Sequence, residues 1–410
     1  MITTRFGDIL LLLANNRICW WSDCNAKGPF KPVIMDCTLL AARPLSLNPF
    51  VVLLHDQRVL ICRHAVSKPV DITLTIQKAH DACEIITSVH AFREVVDINT
   101  GILAVATEKS ISIFEIQYVD GTEIGDLSEQ EDEGISVFYP ENALRHRGIK
   151  VTPVSIHKYA AGIDLVSISH YRAYVKTTDN KLYLLGAMFH DDYGFIMRED
   201  DYETKESQTI NINAQGISEI ICGPTHSWLL MHEGSVSISR VTDTKVFMPI
   251  QFPDGVSIAK IVPVSYYALF ISTEGQCYCD STNGPIIIKA ISHHQVENIY
   301  RVYNYVLVQH DGGQLCALTT STFSIDPRHI DGTMKPMYLH YFDDKCITDI
   351  IQGRNRIYLT ANDGNLYNAV LPSPTYPRRC RAGEIPFFRE NPVMVQSMAT
   401  IRSAGNALEP

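Results

Sequence analysis

Short apolar runs recur along this chain, each broken by a polar turn and followed by a second apolar run that often holds an aromatic. The plainest copies are HSWLLMHEGSVSIS from His226, YALFISTEGQCYC from Tyr267, YVLVQHDGGQLCAL from Tyr305 and RIYLTANDGNLYN from Arg356. Earlier copies keep the shape: DILLLLANNRICWW from Asp8, PFVVLLHDQRVLIC from Pro49, GILAVATEKSISIF from Gly101 and RAYVKTTDNKLYLLG from Arg172. Each predicts a β-hairpin, because Asn, Asp and Gly between apolar runs supply the backbone conformations of a tight turn.

The register is constant. Counting from the first residue of each copy, the turn position is Asn16, Gln57, Lys109, Asn180, Gly234, Gly275, Gly313 and Gly364, with steps of 41, 52, 71, 54, 41, 38 and 51 residues. Such steps suit a four-stranded blade with variable loops. A further strand precedes most hairpins (ISEIICG from Ile217, VSIAKIV from Val256, VENIYRV from Val296, CITDIIQ from Cys346), and others, such as PIIIKAI from Pro285, follow. The expected fold is all-β: a closed β-propeller of four-stranded antiparallel blades, seven or eight in number, in one domain over residues 1–410. The apolar segment PVMVQSMATIR from Pro392 is expected to join the N-terminal hairpin and close the ring. Unrelated β-sandwiches are the competing fold, but a sandwich has no reason to repeat one register eight times.

Composition narrows the class. At 46% hydrophobic and 20% charged the chain can bury a large core, and a net charge of −10 argues against a general nucleic-acid surface. Eleven cysteines without a CxxC pair, the closest being Cys277 and Cys279, read as reduced core thiols of a cytoplasmic or nuclear protein. The run Ile9 to Leu13 abuts Asp8 and is too short for a signal or membrane segment, so a soluble protein is expected.

At IICGPTHSWLLMHEGSVSIS, the repeat resembles that of the regulator-of-chromosome-condensation family, with Gly223, His226 and Gly234 at its motif positions. Gly353 and Gly364 repeat the pattern with Arg356 at the His position, and Gly186 and Gly194 fit the loop after an aromatic strand. Elsewhere the His position holds Asp8, Pro49, Gly101, Arg172, Tyr267 and Tyr305, so most of the chain shares only the register. The resemblance implies a structural role for His226 and a ring that in the family usually has seven blades. Founding members carry an insertion from one blade that wedges into a Ran GTPase. They also bind chromatin through a basic N-terminal tail, for which Asp8 opening the first hairpin leaves little room.

Two acidic segments stand outside the repeat. The loop spanning 118–150 contains Asp120, Glu123, Asp126, Glu129, Glu131, Asp132 and Glu133 with no Lys or Arg among residues 120–134. The loop spanning 187–212 contains Asp191, Asp192, Glu199, Asp200, Asp201 and Glu203, without the spacing of a calcium loop. Either is a solvated loop or, read functionally, part of a negative patch on one face for a basic protein partner. Arg378, Arg379 and Arg381 form the only compact basic group and read as a solvated connector. No Walker loop, nucleophile elbow, HExxH or Rossmann fingerprint occurs, so neither cofactor nor metal is expected, and catalysis is disfavoured without being decided. The expected function is a monomeric interaction propeller, with nucleotide exchange on a Ran-like small GTPase as its most specific version. A scaffold subunit of a larger complex is the alternative, and a propeller hydrolase or lyase stands third.

Overall fold

The computed structural model describes residues 2–3, 8–12, 18–22, 31–33, 39–44, 50–54, 56–62, 70–80, 84–93, 100–120, 147–168, 172–185, 207–223, 226–240, 243–264, 267–280, 284–291, 294–302, 305–319, 336–343, 345–352, 357–363, 365–371 and 381–384. Their strands form eight four-stranded antiparallel sheets, one for each predicted hairpin. Sheet 1 holds β1 (Ile2–Thr3), β2 (Asp8–Leu12), β3 (Ile18–Ser22) and β4 (Lys31–Val33), and sheet 2 holds β5 (Leu39–Pro44), β6 (Phe50–Leu54), β7 (Val59–Cys62) and β8 (Val70–Asp71). Sheet 3 is β9 (Ile86–Arg93), β10 (Thr100–Thr107), β11 (Ser110–Asp120) and β12 (Arg147–Lys158). Sheet 4 is β13 (Ile163–Ile168), β14 (Ala173–Thr177), β15 (Leu182–Leu185) and β16 (Gln208–Ile210). Sheet 5 is β17 (Ile217–Cys222), β18 (His226–Met231), β19 (Val236–Arg240) and β20 (Asp243–Pro249). Sheet 6 is β21 (Ile258–Val264), β22 (Tyr267–Ser272), β23 (Cys277–Cys279) and β24 (Ile286–Ile287). Sheet 7 is β25 (Val296–Val302), β26 (Tyr305–His310), β27 (Leu315–Thr319) and β28 (Met337–Tyr338), and sheet 8 is β29 (Ile347–Gln352), β30 (Ile357–Ala361), β31 (Leu366–Val370) and β32 (Arg381–Glu384).

Every sheet is an up-and-down meander in chain order, the blade unit of a β-propeller. The chain divides into two compact units near Thr209 and Ile210, with sheets 1 to 3 in the first and sheets 5 to 8 in the second. β16, the last strand of sheet 4, straddles the division. The four described strands of sheet 1 all come from residues 2–33, Ile2–Thr3 pairing with β2. The segment expected to join this sheet and close the ring, residues 392–401, lies outside the described residues.

Why the second strand of each blade is a solid apolar run is visible in its packing. Successive side chains of a strand point to opposite faces. In β22, Ala268 and Phe270 pack against Trp228 and Leu230 of sheet 5, while Leu269 and Ile271 pack against Ile299 and Val308 of sheet 7. Both faces are covered, so neither can be polar. Leu229, Leu269, Leu307 and Tyr358 are accordingly all buried.

Five predicted turn positions have left-handed backbones: Gln57 (φ 68°), Asn180 (φ 60°), Gly234 (φ 88°), Gly275 (φ 78°) and Gly313 (φ 85°). The turns at Gly234 and Gly275 stitch one blade to the next. Gly234 O accepts from Ile258 N at 2.9 Å and Gly275 O from Val296 N at 2.8 Å, each time the first residue of the following sheet. The single α-helix among the described residues, α1 (Thr73–Ala79), lies between sheets 2 and 3 and buries Ile76 completely. Ile291 and Phe342 are buried in the same way from 3-10 turns that follow sheets 6 and 7. Of the described cysteines, Cys222, Cys277, Cys279 and Cys316 are buried thiols and Cys346 is exposed.

Candidate functional site

The first acidic segment belongs to a single blade. β10 pairs with β11 as far as Thr100 opposite Gln117, but β11 goes on pairing with β12 up to Asp120 opposite Arg147. Among the described residues, three residues of each strand therefore continue beyond the last pair of β10 as a two-stranded ladder of about 10 Å. Strand pairing thus reaches into the expected loop span of 118–150. Asp120 ends β11, whereas Glu123, Asp126, Glu129, Glu131, Asp132 and Glu133 lie outside the described residues.

The second segment occupies the same place in the next blade, between β15 and β16. Asp191, Asp192, Asp200 and Asp201 lie outside the described residues, as do Gly186 and Gly194. Three hydrogen bonds fix the relation of the two blades: Tyr159 N to Lys109 O (2.8 Å), Ile163 N to Glu108 O (2.7 Å) and Thr178 N to Gly162 O (2.7 Å). They bring the turn between β10 and β11, the link from β12 to β13, and the turn between β14 and β15 to one end of the two sheets. In antiparallel meanders the connections between third and fourth strands must then leave from the other end, in both blades alike. Ala104, Ile111 and Ile113 pack against Ile168, Ala173 and Val175 between them.

In the sequence the charge is concentrated in these two connections. Residues 121–146 carry seven carboxylates against Arg145, and residues 186–207 carry seven against Arg198 and Lys205. The formal charges of −6 and −5 together exceed the −10 of the whole chain, so the remainder is close to neutral.

Of the repeat motif, Gly223, His226 and Gly234 are described. Gly223 N donates to His226 O at 2.8 Å, and a Cβ on Gly223 would stand 2.8 Å from the Trp228 ring, which is fully buried. The His226 ring lies 6.0 Å from that of Trp228. Gly353 and Gly364 lie outside the described residues.

Two arrangements resemble nucleophile sites and fail as such. Ser110 Oγ lies 2.8 Å from His80 Nδ1, but the same hydroxyl donates directly to Glu84 at 2.5 Å, and Thr107 donates to that carboxylate too. A catalytic triad needs the His between hydroxyl and acid. Ser110 is also fully buried, so the group clamps the turn Thr107 to Ser110. Cys316 Sγ is 3.5 Å from His310 Nε2, yet burial pushes the thiol up to about 12 and pushes the imidazole down, which leaves a neutral pair. Among the described residues no group of His, Cys, Asp or Glu is placed to hold a metal ion.

No family model matches the chain, and no curated protein does. Among solved structures it is similar to Prp20p of Saccharomyces cerevisiae, at 11% identity and a TM-score of 0.46 over 77% of this chain and 80% of that one. It is also similar to yeast RCC1 (Prp20) bound to Kap60, at 11% identity and a TM-score of 0.47 over 92% and 94%. BamB from Moraxella catarrhalis matches at 11% identity and a TM-score of 0.41 over 80% and 81%. The blade architecture itself rests on the strand order and pairing of the eight sheets.

Proposed function

We propose that this chain is a protein-interaction propeller whose two acidic connections, in sheets 3 and 4, dock a basic surface of a protein partner. The observation that carries it is the confinement of the chain's excess negative charge to two connections anchored at the same end of adjacent blades. Loops on a rigid scaffold are the usual carriers of such binding. Replacing Glu129, Glu131, Asp132 and Glu133 with Ser is expected to slow association and flatten its salt dependence, with thermal stability nearly unchanged. The measurement is affinity capture from native extract at graded salt with both proteins. Capture of the same basic partners with the same salt profile would sink the reading.

Nucleotide exchange on a Ran-like small GTPase is the narrower version, supported by the repeat register and by the insertion from a single blade. An exchanger needs no nucleophile, since it holds the nucleotide-free state of its partner. Release of labelled GDP tests it. No acceleration at micromolar propeller removes exchange and leaves a scaffold with an acidic docking end.

A further inference from the structure

Over their described residues, the outer strands of the eight sheets are very unequal. β8, β24 and β28 have two residues, β4 and β16 three, β32 four and β20 seven, whereas β12 has twelve. Short outer strands deny a foreign strand a template for pairing. β12 keeps a twelve-residue edge, interrupted by Pro153, which has no amide hydrogen, and by a bulge at Val154, and among the described residues no strand pairs with its outer side. It also exposes apolar side chains: Val154 is 57% and Ile156 42% accessible. Every formal charge on the strand is positive, from Arg147, Lys150 and Lys158, in a chain of net charge −10. These charges discourage a second copy. Antiparallel self-pairing about the middle of β12 sets Lys158 against Arg147 at both ends, and like charges opposite one another destabilise a pair.

We propose that the outer edge of β12 accepts an extended segment of another protein as a fifth strand of sheet 3. The segment would carry acidic residues on the face of Lys150 and apolar ones on the face of Val151 and Ile156. Pairing places Ile156 and Lys158 on the face of Ser112 and Ser110, and Lys150 on the face of Gln117, so both faces of the incoming strand are specified. Main-chain hydrogen bonds supply affinity in this mode and alternate side chains supply selectivity. The inference does not depend on the reading given to the acidic connections.

The test uses the full chain and a labelled synthetic peptide alternating Val and Glu, with two controls: the same peptide N-methylated at alternate residues, and one alternating Val and Lys. Saturable binding of the Val/Glu peptide is expected, weakened about tenfold by N-methylation, since strand addition needs the amide hydrogens. The double variant Lys150→Glu, Lys158→Glu is expected to reverse the preference in favour of the Val/Lys peptide. Both substitutions keep long polar side chains on an outer strand, and circular dichroism checks that the variant folds. Three results would overturn the proposal: no saturation at millimolar peptide, equal binding after N-methylation, or self-association of the unmodified protein that the double variant abolishes.

Discussion

The turn between the second and third strands does the same work in sheets 3 and 5 with different chemistry. In sheet 5 the turn holds Gly234 at φ 88°, its carbonyl accepts from Ile258 N, and a Cβ there would meet Ser257 Cβ at 2.8 Å. Backbone freedom and close approach are both required, and only glycine offers them. In sheet 3 neither Glu108 nor Lys109 has a positive φ, yet Glu108 O still accepts from Ile163 N at 2.7 Å. That turn is held by side chains, with Ser110 and Thr107 donating to the Glu84 carboxylate. Sheet 2 combines the two solutions. Gln57 is left-handed and its side-chain Oε1 accepts from Ile86 N at 2.7 Å. The blade-to-blade stitch is thus the constraint, and the residue that satisfies it is free to vary.

The largest expected effect separates close approach from backbone strain. Gly234→Ala should destabilise by about 2–5 kcal/mol, the sum of a left-handed Cβ and an overpacked contact. Gly255→Ala, at φ 80° with nothing within 4 Å of the new Cβ, should lose only about 1–2 kcal/mol. Equal losses in chemical denaturation would show that the approach of Ser257 does not matter. Next comes the clamp of sheet 3: Glu84→Ala should destabilise by about 1–3 kcal/mol by removing the charged acceptor shared by two buried hydroxyls, and Glu84→Gln, which keeps an acceptor, by less. If the two variants lose the same amount, the carboxylate is not what holds the turn. A smaller contrast lies between Gln57→Gly and Asn180→Gly. Both relieve a left-handed side chain, but only the first loses the bond to Ile86, so it should be less stable than its counterpart by about 1 kcal/mol.

The smallest effect is a pH slope at the turn of sheet 7. Burial, helped by His294, pushes His310 below its ordinary 6.5. The folded state keeps it neutral while the unfolded chain takes up a proton, so stability is full above pH 6.5 and declines as pH falls toward the folded-state value. The melting temperature of His310→Gln should decline less steeply across that window. Burial lowers His157 in the same sense and accounts for part of the slope that remains.

Much of the fold was legible because a hairpin is local. Turn residue and flanking apolar runs lie within a dozen positions, so the register of all eight hairpins could be read, and Gly234, Gly275, Gly313, Gln57 and Asn180 have the backbone it requires. Several elements were not legible. β8, β24 and β28 are two-residue strands that exist only because a neighbour offers an edge. The helix α1 has no side-chain cap, and its position depends on Ile76 reaching the core and on Val59 N donating to Thr73 Oγ1. The candidate site divides along the same line. Its carboxylates were plain in the composition, but their origin within sheets 3 and 4, rather than between hairpins, depended on where β12 and β16 pair.

Sequence alone therefore determined the repeat, the apolar second strands and the concentration of acid in two segments, since each depends on residues close together in the chain. Tertiary structure decided how the blades are stitched, which end of sheets 3 and 4 the acidic connections leave from, and that among the described residues no strand pairs with the outer side of β12. Those features depend on partners far apart in sequence, such as Gly234 with Ile258 or Glu108 with Ile163. A backbone carbonyl carries no residue-specific signal by which such a partner could be read in advance.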